Sequence, residues 1–265
     1  MTLTEGLQAK IWRNKANNLE AYAKLMQALE YFRKFNKEDN RLARQLCEEA
    51  VAIDPEYAGA YRTIGWTHWS DAANGFSESR SESIKKAMEL AQKALKLDDQ
   101  DPFAFYLLAG IHLLRKEHDL ALANIRKASE MCPNFADLLA YKGYCLNYAG
   151  EPAVALASIQ KAKRLNPHYS SWYDGQMGLS YQMMGNDEEA LEYFKKMRYR
   201  SYNFRIRIII SYIHLNRLAD AQTEAVELLK DKPDFSTARW EKGQIFKDHK
   251  FVEKDLEALR KAGLP

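Results

Sequence analysis

Small apolar residues recur along the chain in pairs that lie seven positions apart. The pairs are Ala43/Ala50, Ala87/Ala94, Ala121/Ala128 and Ala155/Ala162, with altered forms at Ala190/Met197 and Ala221/Leu228. Seven residues span two helical turns, so both members of a pair lie on one face of a helix. A small side chain there lets a second helix approach closely. Successive pairs are most often 34 or 35 residues apart, which predicts a repeated structural unit.

Glycine and proline mark the remaining parts of this unit. Glycines stand at Gly65, Gly110, Gly143, Gly178 and, alone near the end of the chain, Gly243. Glycine inside a helix costs about 1 kcal/mol relative to alanine, so its recurrence predicts close helix packing. Prolines follow five of the pairs, at Pro55, Pro102, Pro133, Pro167 and Pro233. Since proline cannot continue a helix, each unit is predicted to be a helix with a glycine, a short turn and a second helix that ends before a proline.

The unit resembles the tetratricopeptide repeat. The copy at 136–169 has the residues that the family favours, which are Leu139, Gly143, Leu146, Gly150, Ala155, Ile159, Ala162 and Pro167, and it departs at Lys142. The resemblance covers residues 20–262 and implies an all-α fold, a right-handed superhelix of about six to seven helix-turn-helix repeats with 13 or 14 helices and no β-sheet.

These boundaries divide the chain into a lead-in segment and a single solenoid. The lead-in is 1–19 and the solenoid is 20–262, with repeats at 20–57, 58–103, 104–135, 136–169, 170–201 and 202–235 and a closing unit at 236–262. Two stretches interrupt the pattern. Both FRKFNKEDN, at 32–40, and the polar insertion at 70–83 are predicted to be long loops.

Composition narrows the class of protein. The chain is 46% hydrophobic and 28% charged, which is enough apolar material for a core. A net charge of +3 gives no global argument for nucleic acid or a membrane surface. No stretch has the roughly 18 apolar residues of a membrane span, and the start has no apolar signal region, so a cytoplasmic location is expected. The cysteines Cys47, Cys132 and Cys145 have no paired spacing and are expected to be core residues.

Motifs for catalysis or cofactor binding do not occur. The sequence has no GxxxxGK[ST], GxGxxG, HExxH or GxSxG, and its six histidines are scattered. We therefore predict no catalytic residues, no metal and no cofactor, and we expect the chain not to be an enzyme.

The two ends suggest a narrower family. The opening LTEGLQAKIWRNKANNLEAY and the closing DLEALRKAGLP look like the C-terminal tetratricopeptide region of bacterial class III adenylate/guanylate cyclases. In that family the catalytic domain precedes the repeats. The resemblance implies a detached regulatory or partner-binding region, with a cyclase catalytic domain as one partner, or a stand-alone relative of such a region.

The tetratricopeptide resemblance also implies a binding groove, because the first helix of each repeat lines the concave face in that family. The positions carried over from the family, with some neighbours, are Arg62, Trp66, Trp69, Tyr106, Tyr141, Tyr144, Asn147, Tyr148, Trp172, Gln176, Gln182, Arg207, His214, Trp240 and Gln244. Aromatic and arginine side chains dominate binding hot spots, and amides suit a peptide backbone. For each ring the alternative is packing between helices. Arg62 and Trp66 replace the lysine and asparagine of the family's carboxylate clamp, which argues against a chaperone C-terminus as ligand.

A basic segment at 195–207 is the other unusual feature. It contains Lys195, Lys196, Arg198, Arg200, Arg205 and Arg207, interleaved with aromatic residues. Such a segment suits single-stranded nucleic acid or an acidic protein, whereas cations at a helix C-terminus also complement the helix dipole.

The sequence thus predicts a non-catalytic scaffold that binds a protein or peptide in an aromatic groove, as the regulatory region of a nucleotide cyclase. The alternatives are a scaffold of another signalling or transcription-related assembly, and a nucleic-acid binder that uses the basic segment. Self-association into a homo-oligomer is left open.

Overall fold

The computed structural model describes residues 18–197 and 202–265, and these form fourteen α-helices and no β-strand. The helices are α1 Leu19–Phe32, α2 Lys37–Ile53, α3 Ala58–Asn74, α4 Arg80–Leu97, α5 Pro102–Leu114, α6 His118–Met131, α7 Ala136–Ala149, α8 Pro152–Leu165, α9 Trp172–Met183, α10 Asp187–Lys196, α11 Tyr202–His214, α12 Leu218–Asp231, α13 Thr237–Gly243 and α14 His249–Lys261. The all-α prediction, with 13 or 14 helices, is confirmed.

Consecutive helices pack as hairpins. The first helix of each hairpin has an odd number and the second helix an even number. The second helix packs against the first helix of its own hairpin and, in most hairpins, also against the first helix of the following hairpin. The chain divides into two compact units between Leu138 and Leu139. We call the residues up to Leu138 the first unit and those from Leu139 the second unit, and describe each on its own.

The pairs of small residues lie in the core, as their spacing predicts. Both members of the four alanine pairs are fully buried, and so are Ala190, Ala221 and Leu228. Gly143 on α7 faces α8 at such close range that an added Cβ would collide with the side chain of Ile159 and lie 2.9 Å from the carbonyl oxygen of Ala155. The expectation of close packing at Gly243 is wrong, since a Cβ there would meet no atom within 4 Å.

Gly143→Ala should therefore lower the free energy of unfolding by about 1–3 kcal/mol, because the added methyl group overpacks the contact between α7 and α8. The matched control is Gly243→Ala, where the same change has open space and should be neutral or stabilise by about 0.4–1 kcal/mol. Urea denaturation of both variants measures the difference. Equal stabilities of the two variants would contradict this packing.

Both predicted long loops are largely helical. The first is only 33–36, because Asn36 caps α2 by accepting a hydrogen bond from the Asp39 amide at 2.9 Å. The second is only 75–79, because the insertion lengthens α3 and α4 to 17 and 18 residues. Gly75 ends α3 with a φ of +69°, a left-handed conformation that favours glycine. The insertion thus extends one hairpin rather than forming a free loop.

The prolines and cysteines occupy the expected kinds of position. Pro102 is the first residue of α5, and the other four prolines of the pattern lie in turns between hairpins.

Cys47 and Cys145 are buried free thiols and Cys132 is partly buried. Burial raises the pKa of Cys47 to about 12, so this thiol is unreactive at neutral pH. Among the described helices, none has the length and apolar character to cross a membrane.

Candidate peptide-binding surface

Three aromatic rings of the first unit form a cluster on two neighbouring first helices. Trp66 and Trp69 lie on α3, with ring centroids 5.2 Å apart, and Tyr106 of α5 lies 4.6 Å from Trp66. Both pairs meet edge to face, a favourable geometry for aromatic rings. All three residues are partly buried, so none of them is wholly enclosed by the core. We call these residues the Trp66 cluster.

Arg62 does not join this surface, which corrects its assignment to the groove. Its guanidinium is buried, forms an ion pair with Asp101 and lies 5.2 Å above the ring of Phe103. Asp101 in turn caps α5 by accepting a hydrogen bond from the Phe103 amide at 2.9 Å. Arg62 therefore joins α3 to the start of α5 and is used within the chain.

A row of tyrosines lies on α7 in the second unit. Tyr141 and Tyr144 stack at 4.9 Å, and Tyr148 lies 4.8 Å from Tyr144. Tyr141 is buried, so its predicted place in an open groove is wrong, whereas Tyr144 and Tyr148 are partly exposed. Phe246, from the segment between α13 and α14, lies 4.5 Å from Tyr148.

Asn147 and Gln176 connect two first helices instead of facing a ligand. The Asn147 amide nitrogen donates to the Gln176 carbonyl oxygen at 3.0 Å, and its oxygen accepts from the Ser180 hydroxyl at 2.8 Å. All three side chains are buried. A buried amide needs hydrogen-bond partners, and here the neighbouring helix α9 supplies them. The prediction that Asn147 and Gln176 line the groove is therefore wrong.

Gln182 and Arg207 continue this connection from α9 to α11 and α14. The Gln182 amide nitrogen donates to the Arg207 carbonyl oxygen at 2.8 Å and to the Ser211 hydroxyl at 2.7 Å. The Arg207 guanidinium forms an ion pair with Asp255 of α14, with side chains 8% and 1% exposed. Both residues were expected in the groove, but each is satisfied inside the second unit. We call the residues Asn147, Gln176, Ser180, Gln182, Ser211, Arg207 and Asp255 the polar ladder.

The remaining residues predicted for the groove differ in how far they are exposed and in what they contact. Trp172 is partly exposed at the start of α9. Trp240 is buried, which corrects its assignment, and its ring lies 5.7 Å from the Arg207 guanidinium. Gln244 is partly buried and donates to the Trp240 carbonyl oxygen at 3.0 Å. His214 lies 3.0 Å from a carboxylate oxygen of Asp187, and this hydrogen bond raises the histidine pKa above its usual value.

The two arginines of the basic segment that the structure describes, Arg205 and Arg207, do not form an open cationic surface. Arg205 pairs with Glu224 at 3.1 Å and with Asp231 at 3.2 Å, both from α12. Arg207 is buried with its own carboxylate partner. Acids distant in the sequence thus neutralise both charges, which removes them from the predicted patch.

The lysines of the same segment lie against tyrosine rings. Lys195 is 5.5 Å from the ring centroid of Tyr212, and Lys196 is 4.5 Å from that of Tyr193. Both lysines are exposed. Arg198 and Arg200 lie outside the described residues.

A polar cavity of about 210 Å³ lies in the first unit beside the extended hairpin. Its lining residues are Arg44, His68, Asp71, Ser77, Ser79, Glu82, Ser83 and Lys86. Arg44 pairs with Asp71, and Asn40 donates to the other Asp71 oxygen at 2.7 Å. Burial, helped by Arg44, lowers the pKa of His68 to about 4. Sequence reasoning missed this cavity, because the insertion was taken for a loop.

His68 should make the fold less stable in mild acid. The unfolded chain protonates this imidazole near pH 6.5 and the folded chain only near pH 4, so stability falls as the pH decreases between these values. His68→Gln should lose less stability between pH 7 and pH 5 than the wild type. Urea denaturation at both pH values measures this, with the exposed His249→Gln as control. A wild-type loss no larger than that of His68→Gln would refute the assignment.

The described residues hold no group of three or more histidine, cysteine or acidic side chains with the geometry of a metal site.

Sequence comparison finds distant relatives among curated proteins. No protein-family model matches the chain. The transcriptional regulator HilA of Salmonella typhimurium is 27% identical over 146 residues, and the match covers 55% of this chain and 26% of HilA. A putative adenylate cyclase 3 of Rhizobium meliloti is 28% identical over 90 residues, which is 34% of this chain and 15% of that protein. The chain thus spans about a quarter or less of the length of these curated relatives.

Structural comparison identifies the fold. The anaphase-promoting complex assembly Cut9-Hcn1 aligns with a TM-score of 0.68 at 16% identity, over 97% of this chain and 47% of that one. The tetratricopeptide protein TTC0263 of Thermus thermophilus aligns with a TM-score of 0.57 at 17% identity, over 73% of this chain and 99% of that one. The fold is therefore the all-α helix-hairpin fold of tetratricopeptide proteins.

Proposed function

We propose that the chain is a non-catalytic scaffold that binds a protein or peptide partner through partly exposed aromatic side chains on its first helices. The Trp66 cluster carries this proposal, because it combines three large rings, edge-to-face packing and partial exposure on two adjacent helices. Rings of this kind bury a large area on binding with little loss of side-chain freedom. Similarity to a tetratricopeptide fold, in which helix hairpins are stacked, supports the same reading.

Selection of peptides from a phage-displayed library on the purified full-length chain tests the proposal. We expect enriched peptides that contain aromatic or aliphatic residues and that bind in solution with micromolar or tighter Kd. Their binding should not change when Leu120 is replaced by alanine, because this side chain is 51% exposed on the second helix α6. A library from which no peptide is enriched, or peptides whose binding depends on Leu120, would argue against this surface.

At a finer level, we propose that the partner is the catalytic domain of a nucleotide cyclase, as the two ends of the sequence imply. The similarity to the Rhizobium cyclase supports this, although the opening segment at 1–17 lies outside the described residues. The chain itself should form no cyclic nucleotide from ATP or GTP. Adding it to the purified catalytic domain of that cyclase should change the rate of cyclic-nucleotide formation. An unchanged rate, together with no binding by calorimetry, would reject this partner.

A second candidate function is a scaffold within a transcription-regulating protein. The match to HilA favours it, because it extends over 146 residues, against 90 for the cyclase.

Nucleic-acid binding through the segment 195–207 has less support, since Arg205 and Arg207 are paired with carboxylates. The test is to add a single-stranded oligonucleotide to the complex with a library-selected peptide. If the affinity for the peptide does not change, peptide binding does not use the surface that would bind nucleic acid.

A further inference from the structure

The last helix of the second unit packs in a different place from other second helices. α14 lies against α13 and also against α11, the first helix of the preceding hairpin. Elsewhere the contacts of a second helix are mostly with its own first helix and the first helix of the next hairpin. The chain therefore folds back after α13, which brings residues 244–261 onto the side of the second unit that first helices form. The sequence predicted only a closing unit at 236–262 here.

Three groups of the returning segment make three kinds of contact with that side. The Phe246 ring lies 4.5 Å from the Tyr148 ring and 5.0 Å from the Arg207 guanidinium. The Lys247 amide donates to the Tyr148 carbonyl oxygen at 2.8 Å. This carbonyl is in the last turn of α7, where no amide of the same helix can reach it. Asp255 supplies the carboxylate that pairs with Arg207.

These are the contacts by which a peptide ligand would be recognised: an inserted aromatic ring, a main-chain hydrogen bond and a buried ion pair. The receiving groups also lie on two first helices, α7 and α11, as the proposed binding mode requires. Gln182 holds Arg207 in place from α9, so the receiving site is built by the members of the polar ladder on α7, α9 and α11 and does not depend on the segment alone, which contributes only Asp255 to the ladder.

We propose that this side of the second unit is a peptide site which the chain's own residues 244–261 occupy, and that a partner binds there by displacing them. The partner it fits is a segment with an aromatic residue, a free backbone amide next to it and a carboxylate for Arg207. This inference rests on the proposed function only in that first helices receive partner segments. A covalently tethered occupant has an effective concentration in the millimolar range, so it keeps the site closed to weak ligands.

The probe is a fluorescein-labelled synthetic peptide of residues 243–261, GQIFKDHKFVEKDLEALRK. It is titrated against the full-length wild type and against Phe246→Ala and Phe246→Ala/Asp255→Ala, whose substitutions lie in the resident segment and not on the receiving helices. We expect at least tenfold tighter binding to the variants than to the wild type. Phe246→Ala alone keeps the ion pair between Arg207 and Asp255. It therefore serves as the folded test protein if the double variant does not fold. Val226→Ala, an exposed position on α12, is the control and should bind like the wild type.

Two further titrations locate the bound peptide. A peptide with alanine in place of Phe246 and Asp255 should bind none of the proteins. Adding Tyr148→Ala to the Phe246→Ala variant should return the affinity to the wild-type value. Equal affinity for the wild type and Phe246→Ala, or tight binding that survives Tyr148→Ala, would overturn the proposal. Neither result depends on the Trp66 cluster, so a failure of the proposed function there remains distinguishable.

Discussion

Asp255→Ala should lower the free energy of unfolding by about 3–5 kcal/mol, the largest effect that we expect of a single substitution here. The change leaves the guanidinium of Arg207 buried without its carboxylate, and an unpaired buried charge is far more costly than a missing pair. The pair is well shielded, since the rings of Trp240, Phe246 and Phe251 lie within 5.7 Å of the Arg207 guanidinium. Urea denaturation followed by circular dichroism measures the loss.

Two variants control this result. Asp234→Ala removes an acid whose partner Arg239 is also exposed, with side chains 68% and 72% accessible, and should cost less than about 1 kcal/mol. Arg207→Met/Asp255→Leu replaces both charges by apolar groups and should recover most of the lost stability. If Asp255→Ala were no more destabilising than Asp234→Ala, the Arg207 pair would not hold α14 to α11.

Trp66→Ala should weaken the binding of a library-selected peptide by about 2 kcal/mol or more, close to thirtyfold in Kd. Trp66 is the central ring of its cluster, because it contacts both Trp69 and Tyr106. Its removal takes away the aromatic area at the middle of the surface, where hot-spot residues concentrate. Fluorescence titration of the selected peptide against the variant measures the change.

The variant must remain folded for this result to count. A partly exposed ring contributes less to the core than a buried one, so the circular dichroism spectrum and a cooperative urea transition should be retained. Tyr193→Ala is the control, because this partly exposed tyrosine lies on the second helix α10 and should leave the affinity unchanged. A peptide that binds Trp66→Ala as tightly as the wild type would mean that the Trp66 cluster is not the binding surface.

The helices and their hairpin packing could be predicted because they depend on local, repeated signals. The pair Ala155 and Ala162 could be placed from its spacing alone, because seven residues span two helical turns and small side chains let a second helix approach. Both residues are fully buried. Pro102 likewise marked a helix boundary in the sequence, and in the structure it is the first residue of α5, which Asp101 caps.

The role of the polar side chains could not be predicted in the same way. An amide such as Asn147 on a first helix has the same sequence signal whether it faces a peptide or the next first helix. Only the neighbouring helix decides, and Ser180 and Gln176 of α9 satisfy it here. The separation of about thirty residues between these partners exceeds what a helical period encodes.

The returning C-terminal segment was invisible for a similar reason. Lys247 and Tyr148 are separated by about a hundred residues, and a glycine at the end of α13 does not show which way the chain turns. The insertion at 70–83 was predicted wrongly for a different reason, which lies in its local sequence. Its serines indicated a loop, whereas Ser79 is the cap of a long helix, accepting from the Glu82 amide at 3.3 Å.

Hydroxyl-radical footprinting of the full-length chain with and without a library-selected peptide reports which side chains a bound peptide covers, and so tests whether the Trp66 cluster is the binding surface. We expect the peptide to lower the oxidation of Trp66, Trp69 and Tyr106 on α3 and α5, and to leave that of Tyr193 on the second helix α10 unchanged. Protection of Tyr193 with unaltered oxidation of the Trp66 cluster would contradict this expectation.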